Sequence, residues 1–215
     1  NLLNISYDID LQSIKVSKKI IEKVKKKIQK IGIKEFFIFH PSAQYSYKIY
    51  PQHLRDELIN YLSNIGVPIL VTGTNNKIDF DIKLNLPSHP NIIDFIGETS
   101  LEEYFALSSL AKAYIGMDTL NMHIASSQNK RIFAIFGPTK LNIWSPWSNE
   151  LRGAATKNQS IQKYGNITIF QADMPCVACG NAGCDDNHGK SNCLDNISPK
   201  LVFKEIESWY QKNIS

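Results

Sequence analysis

Short apolar runs separated by stretches of helical periodicity dominate the chain. Phe36-Phe37-Ile38-Phe39, Pro68-Ile69-Leu70-Val71-Thr72, Asn91-Ile92-Ile93-Asp94, Ala113-Tyr114-Ile115-Gly116 and Arg131-Ile132-Phe133-Ala134-Ile135-Phe136 read as five strands. Helices are predicted between them, over 52–64, after Gly73, over Leu101–Lys112 with Thr99 or Ser100 as cap, and over 119–127. The inner face of the helix at 101–112 is predicted to carry Leu101, Tyr104, Phe105, Leu107, Leu110 and Ala111. Ahead of the first strand, Ser17 is a natural N-cap for a helix with Ile20, Ile21, Val24, Ile28 and Ile31 on one face. A closing helix is predicted from about Pro199 to Lys212. Strands this apolar are buried on both faces, and strands alternating with helices demand parallel pairing. The expected fold is therefore α/β, a doubly wound parallel sheet of Rossmann-like type. Beyond Gly137 the pattern gives way to a loop-rich region with Trp144, Pro146 and Trp147. The predicted organisation is a linker and helix over 1–34, an α/β domain over 35–172, a Cys-rich loop over 173–197 and a C-terminal helix over 198–215.

Composition is that of a folding chain: 43% of the 215 residues are hydrophobic and 20% charged. The net charge of +4 is unevenly placed, because nine lysines fall between Lys15 and Lys34. A nucleic-acid footprint spread over the protein is thereby disfavoured. The lysine-covered helix face reads as a solvated surface or as a weak attraction to an anionic membrane. No stretch approaches the roughly 18–20 apolar residues of a membrane span, and none resembles a secretory signal, so the expected location is cytoplasmic, with peripheral contact at the inner membrane left open. The chain begins Asn1-Leu2-Leu3 without Met, which suggests a fragment or processed product.

All four cysteines, Cys176, Cys179, Cys184 and Cys193, lie in one short segment. The spacing Cys-x₂-Cys-x₄-Cys-x₈-Cys is compact enough to wrap one tetrahedral zinc ion, although standard knuckles use two Cys-x₂-Cys pairs. Structural zinc, free thiols and disulfides all remain readings, and an iron–sulfur cluster is disfavoured by the spacing. In each case the segment is expected to be a loop staple and not a catalyst.

In open α/β sheets ligands gather beyond the carboxyl ends of the strands, where helix N-termini present N–H groups. The segments there are His40-Pro41-Ser42-Ala43, Thr72-Gly73-Thr74, Gly97-Glu98-Thr99-Ser100, Gly116-Met117-Asp118-Thr119 and Gly137-Pro138-Thr139. Small, hydroxyl-bearing and glycine-containing, they suit a phosphorylated ligand. Neither Gly-x-Gly-x-x-Gly nor Gly-x-x-x-x-Gly-Lys-Ser/Thr occurs, which weakens the usual dinucleotide and NTPase readings.

The run Gly116-Met117-Asp118-Thr119-Leu120-Asn121-Met122-His123-Ile124-Ala125, followed by Phe136-Gly137-Pro138-Thr139, resembles the signature of glycosyltransferase family 9, the ADP-heptose:lipopolysaccharide heptosyltransferases. That family typically carries Asp-Thr/Ser-Gly-x-x-His-x-Ala and then Phe-Gly-Pro-Thr. His40-Pro41-Ser42-Ala43 with Lys48-Ile49-Tyr50-Pro51, and Gly97-Glu98-Thr99-Ser100-Leu101, are similar to its His-Pro-Gly-Ala, Lys-x-Trp-Pro and Gly-Lys-Thr-Ser-Leu elements. Trp144-Ser145-Pro146-Trp147-Ser148 and the cysteines look most like the heptosyltransferase III branch.

The resemblance implies the donor-binding C-terminal half of a GT-B fold, with the catalytic base in a missing N-terminal domain. It implies that Lys48 stabilises the leaving diphosphate and that Ser42, Gly73, Thr74, Thr99, Ser100, Asp118, Thr119 and His123 bind the donor. No metal is needed for chemistry in this reading. His123 is alternatively a satisfied histidine on a helix face. Two departures stand out: Leu120 replaces the signature glycine, and Asn75-Asn76-Lys77 stands where relatives carry a ribose-binding Glu. The implied partners are ADP-heptose and a lipid-linked oligosaccharide acceptor. The rivals are a transferase using a UDP- or GDP-sugar, and a non-catalytic nucleotide-binding module.

Overall fold

The computed structural model describes residues 15–213, so the linker expected at the N-terminus lies outside the described residues except for its last two positions. Strands β1 (Phe37–His40), β2 (Ile69–Gly73), β3 (Ile92–Ile96), β4 (Ala113–Met117), β5 (Arg131–Ile135), β6 (Ile161–Tyr164) and β7 (Ile167–Phe170) form one sheet in the order β3-β2-β1-β4-β5-β7-β6. Every neighbouring pair is parallel except β6 with β7. The doubly wound parallel sheet is thus present, with an antiparallel strand added at one edge. That hairpin falls in the segment expected to be loop. Its strands are joined by Gly165 and Asn166, with Gly165 in the left-handed region at φ 49°, the chemistry of a two-residue turn.

The helices are α1 (Lys18–Lys30), α2 (Gln52–Ser63), α3 (Lys77–Leu84), α4 (Leu101–Leu110), α5 (Leu120–Ser127), α6 (Leu141–Trp144), α7 (Asn192–Asp195) and α8 (Pro199–Lys212). Alternate side chains of the first strand sort into two cores. Phe37 and Phe39 pack with Leu58 and Leu62 of α2 and Val202 and Ile206 of α8. Phe36 and Ile38 pack with Val24 and Ile28 of α1, Leu107 of α4 and Met122 of α5. The first and last helices therefore complete opposite layers of one domain; each fully buried aliphatic contributes roughly 2 kcal/mol.

Helix starts follow the sequence. Ser17 accepts from the Ile20 N–H, Ser100 and Glu103 close a capping box on α4, and Ser198 precedes Pro199 at the first position of α8. Two expected inner residues face solvent: Ile31, one residue past the end of α1, and Leu101, in the first turn of α4. The lysine face of α1 is not wholly solvated either, since Lys23 pairs with Glu103 at 2.6 Å and Lys27 with Glu98 at 2.8 Å. No described helix is long and apolar enough to cross a membrane.

The chain winds from β1 through β2 to β3, and then β4 joins the other side of β1. Successive crossovers depart in opposite directions at this point, and a crevice opens above the strand ends. The two strands approach closely there: a Cβ at Gly116 would collide with the carbonyl oxygen of His40.

Candidate functional site

A cleft of about 820 Å³ occupies this crevice, between the ends of β1, β2, β4 and β5. Ser42, Lys48, Thr74, Asp118, Thr119 and His123 all line it, although they come from segments up to 81 residues apart in sequence (123 − 42). Gly73, Thr99 and Ser100 are not among its lining residues. Gly73 ends β2, where a Cβ would press on the Asp79 carboxyl; Ser100 spends its hydroxyl on the Glu103 N–H of the capping box.

Lys48 closes a single 3₁₀ turn, Ser46–Lys48, braced from both sides. Behind it, the buried Tyr50 donates its hydroxyl to the Ile197 carbonyl. In front, the rings of Tyr45 and Tyr47 stack at 5.4 Å and meet His188 at 5.6 and 5.5 Å. The Lys48 Nζ lies 2.9 Å from Asp118 Oδ2, with the carboxylate almost fully buried. Thr119 is the N-cap of α5 but makes no side-chain capping bond; its hydroxyl is 3.3 Å from Tyr114 Oη. The Met122 and His123 N–H groups donate to the Thr119 carbonyl, so the Leu120 and Asn121 N–H groups are the ones this helix start offers to a ligand in the cleft. His123 is half-buried on the next turn, and desolvation lowers its pKa, opposed by Asp118.

The floor is a buried polar network that the sequence did not announce. His40 Nδ1 lies 3.1 Å from Thr72 Oγ1, and the Asn121 amide nitrogen stands 3.0 and 3.1 Å from the two ring nitrogens. Burial pulls the His40 imidazole down to about 4 despite the opposing charge of Asp79, so the ring is neutral at physiological pH. Asp79 Oδ2 accepts from the Thr74 N–H at 2.6 Å, the Thr74 hydroxyl at 2.8 Å and the Asn76 amide at 2.8 Å. His40 and Asn121 both fell inside sequence motifs without being read as site residues, and Asp79, in the first turn of α3, carried no signal.

The far wall was also missed. Lys140 and Trp144 follow β5, and Gly180 and Asn181 reach the cleft from the Cys-rich loop. That loop is fastened by a 2.7 Å hydrogen bond from the Gly180 N–H to the Pro138 carbonyl. Of the readings left open for the four cysteines, the structure has all four as free thiols, and among the described residues no three His, Cys, Asp or Glu are grouped so as to hold an ion. Cys193 turns into the core beside Leu194 and Ile197, while Cys176, Cys179 and Cys184 stay exposed. Burial raises the Cys193 thiol to about 11, which keeps it protonated.

Residues 2–171 match the family described as Glycosyltransferase family 9 (heptosyltransferase). Lipopolysaccharide heptosyltransferase 3 of Escherichia coli is 23% identical over 134 residues, 60% of this chain and 39% of that protein. Lipooligosaccharide heptosyltransferase 2 of Haemophilus influenzae is 24% identical over 197 residues, 89% of this chain and 52% of the relative. The solved ADP-heptose lipopolysaccharide heptosyltransferase II of E. coli superposes with a TM-score of 0.70 at 18% identity, covering 94% of this chain and 54% of the other. The chain thus spans about half or less of the length of these relatives. They include enzymes named 2 and 3, so the likeness does not single out the III branch.

Proposed function

The chain belongs to glycosyltransferase family 9, and from that premise we propose that its cleft binds the nucleotide-sugar donor, ADP-heptose, of a transfer to the lipopolysaccharide inner core. The observation that carries the reading is the Lys48–Asp118 pair at 2.9 Å beside the uncapped start of α5. Transfer by single displacement breaks the bond between the sugar's anomeric carbon and the diphosphate, with an oxocarbenium-like transition state. Negative charge then grows on the departing oxygen. A lysine already held in place and helix N–H groups already aimed there stabilise that charge without having to reorganise. Asp118 positions the ammonium while the cleft is empty; when phosphate draws the ammonium away, the carboxylate becomes an acceptor for a sugar hydroxyl.

The nucleoside end lies over β2 in this reading. A second recess of about 380 Å³, lined by Asn75, Lys77, Phe80 and Ile96 among others, shares Thr74 and Asn76 with the main cleft there. With no Glu at the position where relatives hold the ribose, Asn76 and the Thr74–Asp79 cluster supply the polar contacts. In this reading the general base and the lipid-linked acceptor site are assigned to a partner domain, and the whole enzyme is assigned to the cytoplasmic face of the inner membrane, where such an acceptor would be met. No cofactor takes part in the chemistry.

Calorimetric titration of the chain with ADP, UDP and GDP tests the donor. The expected result is saturable binding of ADP in preference to the other two. Preference for UDP or GDP transfers the reading to another nucleotide sugar, and absence of binding to all three overturns it.

A further inference from the structure

The cleft has two arms that differ in chemistry. From the Lys48–Asp118 pair, one runs over β2 into the second recess. The other runs past Thr139 to a wall formed by Lys140, Trp144 and Asn181. The first offers the apolar side chains of Phe80 and Ile96, which suit a flat nucleobase. The second brings polar groups together with a large aromatic: Trp144 lines the cleft and is 52% exposed. A bulky indole left half in solvent beside an amide and an ammonium has the makeup of a saccharide subsite. The C–H face of a pyranose packs against the ring, and the hydroxyls around its rim find donors and acceptors.

Asn181 reaches this wall because of local geometry in the Cys-rich loop. Gly180 is in the left-handed region at φ 86°, and a Cβ there would strike the Lys140 side chain. The Gly180 N–H is tied to the Pro138 carbonyl, and the His188 ring packs on Tyr45 and Tyr47 across the cleft mouth. The loop is thereby fixed at both ends against segments that line the site.

We infer that this joint wall, Lys140 and Trp144 after β5 with Asn181 from the Cys-rich loop, holds the glycosyl group of the donor and sets which sugar the cleft accepts. The inference rests on the nucleotide-sugar reading above. It gives the cysteine segment a role in specificity in place of the purely structural one expected from its sequence.

The test is titration of the 215-residue chain and its W144A, N181A and K140Q variants with ADP and with ADP-heptose. For the unaltered chain, ADP-heptose should bind more tightly than ADP. In W144A and N181A the affinity for ADP-heptose should fall about five- to tenfold, as for loss of one stacking or hydrogen-bonding partner. Affinity for ADP should remain within about twofold, because no contact to the nucleotide is removed. Unchanged ADP binding also reports that each variant is folded, and K140Q, which keeps most of the side-chain length at an exposed position, should lose affinity for ADP-heptose in the same direction. Equal loss for both ligands, or no loss for ADP-heptose in all three variants, overturns the inference. If the unaltered chain binds neither ligand, the nucleotide-sugar reading itself fails and takes the inference with it.

Discussion

Lys48 is the side chain on which the proposed chemistry most depends, and its ion pair defines what its removal should do. Lys48→Ala leaves Asp118, only 5% exposed, without its cation at the mouth of an anion site. Binding of ADP should weaken by a factor of ten or more, since charge-assisted contacts contribute roughly 1.5–3 kcal/mol; calorimetry at low salt measures this directly. Lys48→Ala with Asp118→Asn should recover part of the loss, because the uncompensated carboxylate is gone. His40 gives a prediction in pH. Its folded pKa of about 4 lies below the ordinary value of 6.5, so between these values the unfolded chain binds the extra proton. Stability should therefore be full above about pH 6.5 and fall towards pH 4, by up to about 3 kcal/mol from this residue. Urea unfolding at pH 7 and pH 4.5 tests it, and His40→Gln should flatten the dependence. His123, also lowered, adds in the same direction.

At the scale of elements, most of the architecture was legible in the sequence because buried parallel strands leave a plain mark. Each of β1, β2, β4 and β5 is an apolar run buried on both faces. The edge strand β6 left a fainter one: Ile161-Gln162-Lys163-Tyr164 is only half-buried and pairs on one side, so its composition resembles a loop. The signal for the hairpin was Gly165-Asn166 ahead of Ile167-Thr168-Ile169-Phe170. Helix α4 supplies a test of the capping reading. Ser100→Ala removes the hydroxyl that accepts from the Glu103 N–H at 3.2 Å. The cost should be about 1 kcal/mol, seen in thermal denaturation as a drop of about 2–4 °C, with nucleotide affinity unchanged. Gly116→Ala should differ in reaching the site. The new methyl meets the His40 carbonyl where β1 and β4 part, so nucleotide binding should suffer along with stability.

At the scale of the whole molecule, the candidate site could be read in part from sequence because family motifs follow strand ends. Ser42, Lys48, Thr74, Asp118, Thr119 and His123 converge on one cleft as those motifs imply. The rest was hidden because it depends on which loops the fold brings back. Trp144, Lys140 and Asn181 come from segments with no strand pattern, and the tie from Gly180 to Pro138 together with the His188 ring on Tyr45 and Tyr47 places the cysteine segment at the site. In the same segment Cys193 is buried in the core while Cys176, Cys179 and Cys184 are exposed. The central claim is that a diphosphate sits between Lys48 and the start of α5. The most direct measurement is amide chemical-shift mapping of the isotopically labelled chain during titration with ADP. The account predicts that the largest shifts fall on Thr119, Leu120, Asn121 and the Ser46–Lys48 turn, and that they are lost in Lys48→Ala. Saturable ADP binding with the largest shifts elsewhere, the lysine-faced α1 for instance, would contradict it.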